Sequence, residues 1–254
     1  MFDINHRKKF NLIRLKDVYY APRIQQDHSG YDAVYYFHCQ NPVGHSKEKK
    51  TMLIDLAREP EEILASFRKK TRVAIKKALE NKEVYFEINE HPKTRDVEMF
   101  IKAYNAFAVQ KNILACDENF LRMLLESDIL IIASAIKGNE VLCQFALINA
   151  QEKMVCYHGY NTRFSNLEDP DKVKLISQAN RALEYYCMLD AKNRGKIYYD
   201  LCGLTEDPNN PGAEKVDQYK MGFRGQVATE YHFMRPVTFK GKVFCWVKQL
   251  SGGI

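Results

Sequence analysis

A lysine between two aromatic residues, followed by two glycines, is the sharpest chemical signal in this chain: Tyr219-Lys220-Met221-Gly222-Phe223-Arg224-Gly225. The glycines flank an aromatic ring, so the backbone can turn tightly while Phe223 anchors in a core. Lys220 is then held rigidly beside the preceding strand, where the alternative is an ordinary surface lysine. Upstream, His158-Gly159-Tyr160-Asn161 puts an imidazole inside a strand. Its unperturbed pKa of about 6.5 suits proton transfer near neutral pH, although a lone strand histidine is more often structural. Gly159 beside it marks a bulge or the close approach of another backbone.

Asp200-Leu201-Cys202-Gly203 closes the run Ile197-Tyr198-Tyr199. A carboxyl there is costly to bury unless it is paired or at work, and α/β sheets place their sites at strand ends facing a crevice. Asp200 either works or caps the following loop. In the segment 67–78, Lys69, Arg72 and Lys76 recur on one helical face, with Phe67, Thr71, Ile75 and Ala78 roughly opposite. Three stacked cations either clamp phosphates or form a solvated basic face. Cys156 and Cys202 lie near these motifs without an activating neighbour and read as inert buried thiols.

The elements that position these residues follow from periodicity. Residues 1–50 read as strands and loops, with Ala33–Cys39 the clearest strand. A short strand over Thr51–Leu56 precedes Glu59-Pro60-Glu61-Glu62, which opens a helix running, with a break, to Asn81. Val84–Ile88 is a strand, and Thr94–Lys111 a helix with Val97, Ile101, Tyr104 and Ala108 on one face. A shorter helix covers Glu118–Ser127. Ile129–Ala135, Val141–Asn149 and Met154–Tyr160 form hairpins, the first closed by Lys137-Gly138-Asn139-Glu140. A polar loop over 164–172 leads to a long helix, Val173–Lys192, and Ile197–Leu201 returns as a strand. Leu204–Val216 reads as a flexible loop. The pattern predicts a mixed α/β (α+β) architecture. A strand-rich extension at 1–56 packs on the main sheet of a domain at 57–254.

At 254 residues, 46% hydrophobic and 28% charged, the chain has the composition of a globular protein, not a disordered or fibrous one. No apolar run reaches the roughly 18 residues of a membrane helix, and the N-terminus lacks the apolar stretch of a secretory signal. A cytoplasmic location is expected. Seven scattered cysteines, with no Cys-x-x-Cys pair, read as reduced thiols, and no metal is expected. Net charge +6 permits an anionic partner such as a nucleotide, coenzyme A or tRNA without demanding one.

From Cys156 to Tyr231 the order is strand, helix, strand ending in an acid and a glycine, then a lysine among aromatics. This order resembles the acyl-transfer half of the Fem-type peptidyltransferases and their BioF2-like relatives, branches of the GNAT N-acyltransferase superfamily. The resemblance is clearest over residues 130–235 and weaker over 55–110. It implies a mostly antiparallel sheet whose central strands splay, holding a thioester or activated ester open to direct attack by an amine. It also implies that Lys220 stabilises the oxyanion, that His158 or Asp200 takes the ammonium proton, and that Gly159, Tyr160, Asn161 and Arg163 meet the donor. Arg72, Lys76 and Tyr219 are then the substrate-binding residues.

The chain also departs from these families. Fem enzymes generally carry two GNAT-like domains and many have a coiled-coil arm, whereas this chain has room for one complete domain plus an N-terminal half-sheet and shows no arm. GNAT enzymes that use CoA commonly cradle its pyrophosphate in a glycine-rich loop at a helix N-terminus. The loop here, 163–171, has no glycine and three acids, Glu168, Asp169 and Asp171. The expectation is an N-acyltransferase using acyl-CoA, preferably acetyl-CoA, on the amine of a nucleotide-linked amino sugar or another cell-envelope precursor. The alternative donor is aminoacyl-tRNA, with a peptidoglycan precursor as acceptor. A third reading, a nucleic-acid-binding module built on the basic helix, lacks a basic, aromatic-interleaved strand pair.

Overall fold

The computed structural model describes residues 1–8, 12–21, 24, 28–205 and 211–251. They form two compact units, Met1–Thr51 with Val227–Ile254, and Met52–Gln226. The sequence reading kept 57–254 together. The structure returns the last segment to the N-terminal strands, because a strand over Gln226–Pro236 pairs with Ala33–Cys39 through Met234–Tyr35 and Arg235–Val34.

The first unit holds β1 (Phe2–Lys8), β2 (Ile13–Tyr19), β3 (Ala33–Cys39), the start of β4 (Ser46–Asp55) and β10 (Gln226–Pro236), ordered β1-β2-β3-β10-β4. β2 and β3 pair parallel, whereas β1 with β2 and β3 with β10 pair antiparallel. Tyr36 and Phe233 stack at 4.9 Å in its core. A C-terminal helix, Phe239–Leu250, packs on β3. Both β10 and this helix lay outside the elements read from the sequence.

The second unit contains the rest of β4, then helices α1 (Pro60–Ser66) and α2 (Lys69–Glu80), β5 (Val84–Asn89), α3 (Thr94–Lys111) and α4 (Glu118–Glu126). β6 (Leu130–Lys137), β7 (Glu140–Asn149) and β8 (Lys153–Asn161) follow as antiparallel neighbours. The long α5 (Pro170–Asn193) crosses to β9 (Tyr198–Gly203), which pairs parallel to β8, and α6 (Pro211–Lys220) completes the unit. Strand order is β4-β9-β8-β7-β6-β5. Its core joins Ile54, Phe67, Leu147, Leu183, Tyr199 and Phe223.

Two local departures bear on the site. The expected break in the first helix falls at Phe67, which is extended and fully buried against the rings of Phe223 and Tyr185. Burying that ring outweighs continuing the helix. The expected flexible loop over 204–216 becomes helical from Pro211, and residues 206–210 lie outside the described residues.

Candidate active site

β8 and β9 pair as Lys153–Tyr198, Met154–Tyr199 and Val155–Asp200, and there the ladder ends. β8 continues on β7 to Asn161, while β9 runs on to Gly203. Leu147 faces Cys156 and Ala146 faces His158, which leaves Tyr157 as the extra residue of a bulge. A bulge bends its strand and increases the twist, so β8 leaves β9 where the sheet would otherwise close. At the same level Asp200 accepts the Cys202 N–H at 2.8 Å, and Cys202 adopts a left-handed φ of 64°. Both strands therefore turn aside, and a cavity of about 830 Å³ opens between them. Its walls include Tyr157, His158 and Gly159 from β8, and Leu201, Cys202 and Gly203 from β9.

Lys220, on the last turn of α6, reaches this gap. Its Nζ donates to the carbonyl oxygens of Cys202, at 3.4 Å, and Gly203. The following residues are fixed by close packing. A Cβ on Gly222 would stand 2.6 Å from Thr71 Oγ1, and one on Gly225 would stand 2.8 Å from the Leu53 carbonyl oxygen. Positive φ falls on Arg224 instead, at 50°, so these glycines serve proximity and not turning. Phe223 is fully buried between the rings of Phe67 and Tyr219.

Glu184, from the middle of α5, is the buried carboxyl of this cavity and had no signal in the sequence beyond being one more helical acid. Burial pushes it above the usual carboxylate range. Its oxygens accept hydroxyls from Tyr199 at 2.8 Å and Tyr219 at 3.0 Å, and the Cys156 thiol adds a further bond. With a further bond to the Asn180 carbonyl at 3.2 Å, Tyr219, the residue next to Lys220, is locked onto α5. The thiol of Cys156 is itself pushed well above its ordinary value by burial, which suits a wall group and not a nucleophile.

His158 faces the cavity between Tyr104 and Tyr157, with ring centroids 4.4 and 4.1 Å away. Its Nε2 is buried without a hydrogen-bond partner among the described residues. Burial pushes its pKa down to about 4, so the ring is neutral at pH 7. Gly159 beside it has a different reason from the one expected. A Cβ there would lie 2.5 Å from the Phe145 ring, which crosses it from β7.

Cations line the cavity from several elements. Lys111 of α3, Arg163 after β8 and Lys215 of α6 converge without a carboxylate partner among the described residues. Burial, then Arg163 and Lys215, push Lys111 down. Arg68 and Lys70 come from the start of α2, whose N-terminus has no side-chain cap and no acid in its first turn. The N-terminus of α5 is the reverse, because Asp169 accepts the Lys172 N–H at 2.9 Å and Asp171 follows. A helix end with free N–H groups attracts anions. Here that end belongs to α2, since α5 is already capped by its own carboxylate.

Of the residues singled out from the sequence, Lys220, His158, Gly159, Asn161, Arg163 and Tyr219 line the cavity. Four others do not. Asp200 is 1% exposed and pairs with Lys153 at 2.5 Å, so it holds the strand end and does not face the gap. Tyr160 points into the core, its hydroxyl on Gln144 at 3.2 Å. Arg72 folds back onto the carbonyls of Ala65 and Phe67, tying down the helix break. Lys76 stays on the exposed side of α2.

Splayed strands, a bulge at the parting and a long helix crossing between them decide the architecture. This fold is similar to that of FemX. A FemX crystal structure superposes with a TM-score of 0.56 at 12% identity, over 72% of this chain and 61% of the FemX chain. The chain thus spans about three-fifths of that FemX. The C-terminal domain assigned to a lysylphosphatidylglycerol synthetase from Agrobacterium fabrum matches with a TM-score of 0.50 at 10% identity, over 87% of this chain and 74% of that one. No family model matches the sequence, and neither does any curated protein. The Fem-type, GNAT-like fold expected from the sequence is the fold observed.

Proposed function

We propose that this protein is an N-acyltransferase in which an amine attacks an activated acyl carbonyl held between β8 and β9. The parting of these strands after Val155–Asp200, with Lys220 at the open end, carries the reading. The amine nitrogen bonds to the carbonyl carbon, the negative charge on oxygen faces the Lys220 ammonium, and the thiol or hydroxyl of the donor leaves. Preorganised charge of this kind lowers the barrier because no reorganisation accompanies the reaction. His158, neutral and with an unpaired ring nitrogen, is the proton acceptor as the attacking nitrogen becomes positive. Glu184 and Tyr219 set the position of Lys220.

The donor and acceptor are phosphate-bearing molecules. Arg68, Lys70 and the open N-terminus of α2 meet one set of phosphates, and Lys111, Arg163 and Lys215 another. The cavity volume falls in the range of small-molecule and cofactor sites, roughly 300–1,000 Å³, which suits acyl-CoA, acetyl-CoA first, with a nucleotide-linked amino sugar or another cell-envelope precursor as acceptor. One observation favours a second reading. Asp169 occupies the helix end where CoA pyrophosphate sits in the resembled enzymes, which supports aminoacyl-tRNA as donor, and FemX shares the fold.

Calorimetric titration separates the donors. Saturable binding of acetyl-CoA, weakened by Arg163→Ala, supports the first, and silence with acetyl-CoA but binding of aminoacyl-tRNA supports the second. Binding of neither, with no new amide found by mass spectrometry in any donor–amine mixture, would overturn the acyl-transfer reading.

A further inference from the structure

The C-terminal helix, α7 (Phe239–Leu250), has one face settled by packing and one left to solvent. Thr238 caps it, accepting the Gly241 N–H at 3.2 Å and donating its hydroxyl to Asp32 Oδ1 at 2.8 Å. The carbonyl oxygen of Asp32 accepts the Val237 and Thr238 N–H groups. A Cβ on Gly241 would stand 1.7 Å from that same oxygen, so the helix backbone rests directly on the chain entering β3. Gly241 and Cys245 are buried beneath it. The rotation of α7 about its axis is therefore fixed.

On the opposite face Phe239 is 80% exposed, Trp246 62% and Leu250 70%, with Val243 and Val247 exposed between them. At helical spacing these five make one stripe roughly 100° wide. Lys240 falls on one edge of it and Lys242 on the other, and both are exposed. From Tyr231 to the last residue the sequence has Arg235, Lys240, Lys242 and Lys248 and no acid. A continuous apolar stripe on a solvent-facing helix marks an interaction surface. Tryptophan and phenylalanine in the stripe, lysines along both margins and no acidic side chain form the pattern of a helix lying in the headgroup–acyl boundary of an anionic bilayer.

We propose that α7 docks the protein on an anionic membrane surface, with its apolar stripe in the lipid boundary and Lys240 and Lys242 against lipid phosphates. At 12 residues α7 is too short to span a bilayer, so it lies in the plane of the surface. The attachment is independent of the acyl-transfer reading.

Trp246 is the single tryptophan of the chain, so its emission reports on α7 alone. The full chain is mixed with phosphatidylcholine vesicles, with or without phosphatidylglycerol, and followed by fluorescence and co-sedimentation. The expected result is a blue shift and pelleting on anionic vesicles, with partitioning at least about tenfold stronger than on neutral ones. High salt lowers it. Val243→Glu and Leu250→Glu, both at exposed positions, abolish the shift while the thermal unfolding midpoint stays put. The double variant Lys240→Gln, Lys242→Gln brings partitioning down to the neutral-vesicle level. Equal or absent binding on the two vesicle types overturns the proposal. So does a blue shift that grows with protein concentration in the absence of vesicles alongside a dimer in sedimentation, since the stripe would then be an interface between copies.

Discussion

Val155 and Asp200 are the last residues to pair between β8 and β9. Beyond them, the bulge at Tyr157 bends one strand and the Asp200–Cys202 hydrogen bond turns the other. Everything proposed for the site occupies the space these two devices create. Each surrounding group makes a separate prediction.

Glu184 holds Tyr199 and Tyr219 together across three elements. Glu184→Ala leaves the buried Tyr199 hydroxyl without its acceptor, at about 1–3 kcal/mol, while Tyr219 keeps the Asn180 carbonyl at 3.2 Å. Chemical denaturation should show a loss of about 1–3 kcal/mol, with Glu184→Gln losing clearly less because its carbonyl still accepts. An alanine variant as stable as the parent would show that Tyr199 finds another partner.

Gly159→Ala drives a methyl group into the Phe145 ring, 2.5 Å away. Overpacking of this kind costs about 1–3 kcal/mol. Shrinking the ring should relieve it, so in the Phe145→Ala background the glycine substitution should be nearly neutral. A double-mutant cycle with no coupling energy would place the reason for Gly159 elsewhere.

His158 ties stability to pH. Its folded pKa, about 4, lies below the unfolded value near 6.5, so between those limits the unfolded chain binds more protons. Stability from this group is complete above pH 6.5 and falls away as pH drops toward 4, by up to about 3 kcal/mol. His158→Asn should flatten that part of the pH profile measured by urea unfolding. His232, pushed to about 3 by burial, remains in both proteins. An unchanged slope would mean that His158 is protonated where it sits.

Arg68→Ala and Lys70→Ala should each weaken binding of the donor or acceptor about tenfold, as expected for losing a charge-assisted bond of about 1.5 kcal/mol. Lys76→Ala should leave affinity alone. Arg72→Ala should lower stability by about 1–2 kcal/mol, since its guanidinium bridges the carbonyls at the helix break, again without changing affinity. Calorimetry on the four variants would reverse this assignment if Arg72 and Lys76 proved the binding pair.

These contrasts show what a sequence conveys. The apolar periodicity of α3 and α5 located both helices closely, because helix–sheet packing buries one face of each. Strand β10 escaped, since polar and apolar residues mix over Gln226–Pro236 without strict alternation and its pairing comes from β3, nearly two hundred residues earlier. Lys220 and His158 stood out because each interrupts a local pattern. Glu184 interrupts nothing, and only the arrival of tyrosines from β9 and α6 sets it apart. Spacing in α2 identified which cations share a face, but not that the cavity meets the first turn of the helix. Hence Arg72 and Lys76 were named where Arg68 and Lys70 stand.

The most direct measurement is the single-turnover rate of acyl transfer by Lys220→Ala, at saturating concentrations of whichever donor and amine the parent accepts. Removing a fixed charge from a developing oxyanion should slow the step about 10²–10³-fold, with donor affinity and the unfolding midpoint close to those of the parent. A variant that transfers the acyl group as fast as the parent would contradict the placement of the reacting carbonyl between β8 and β9 beside Lys220.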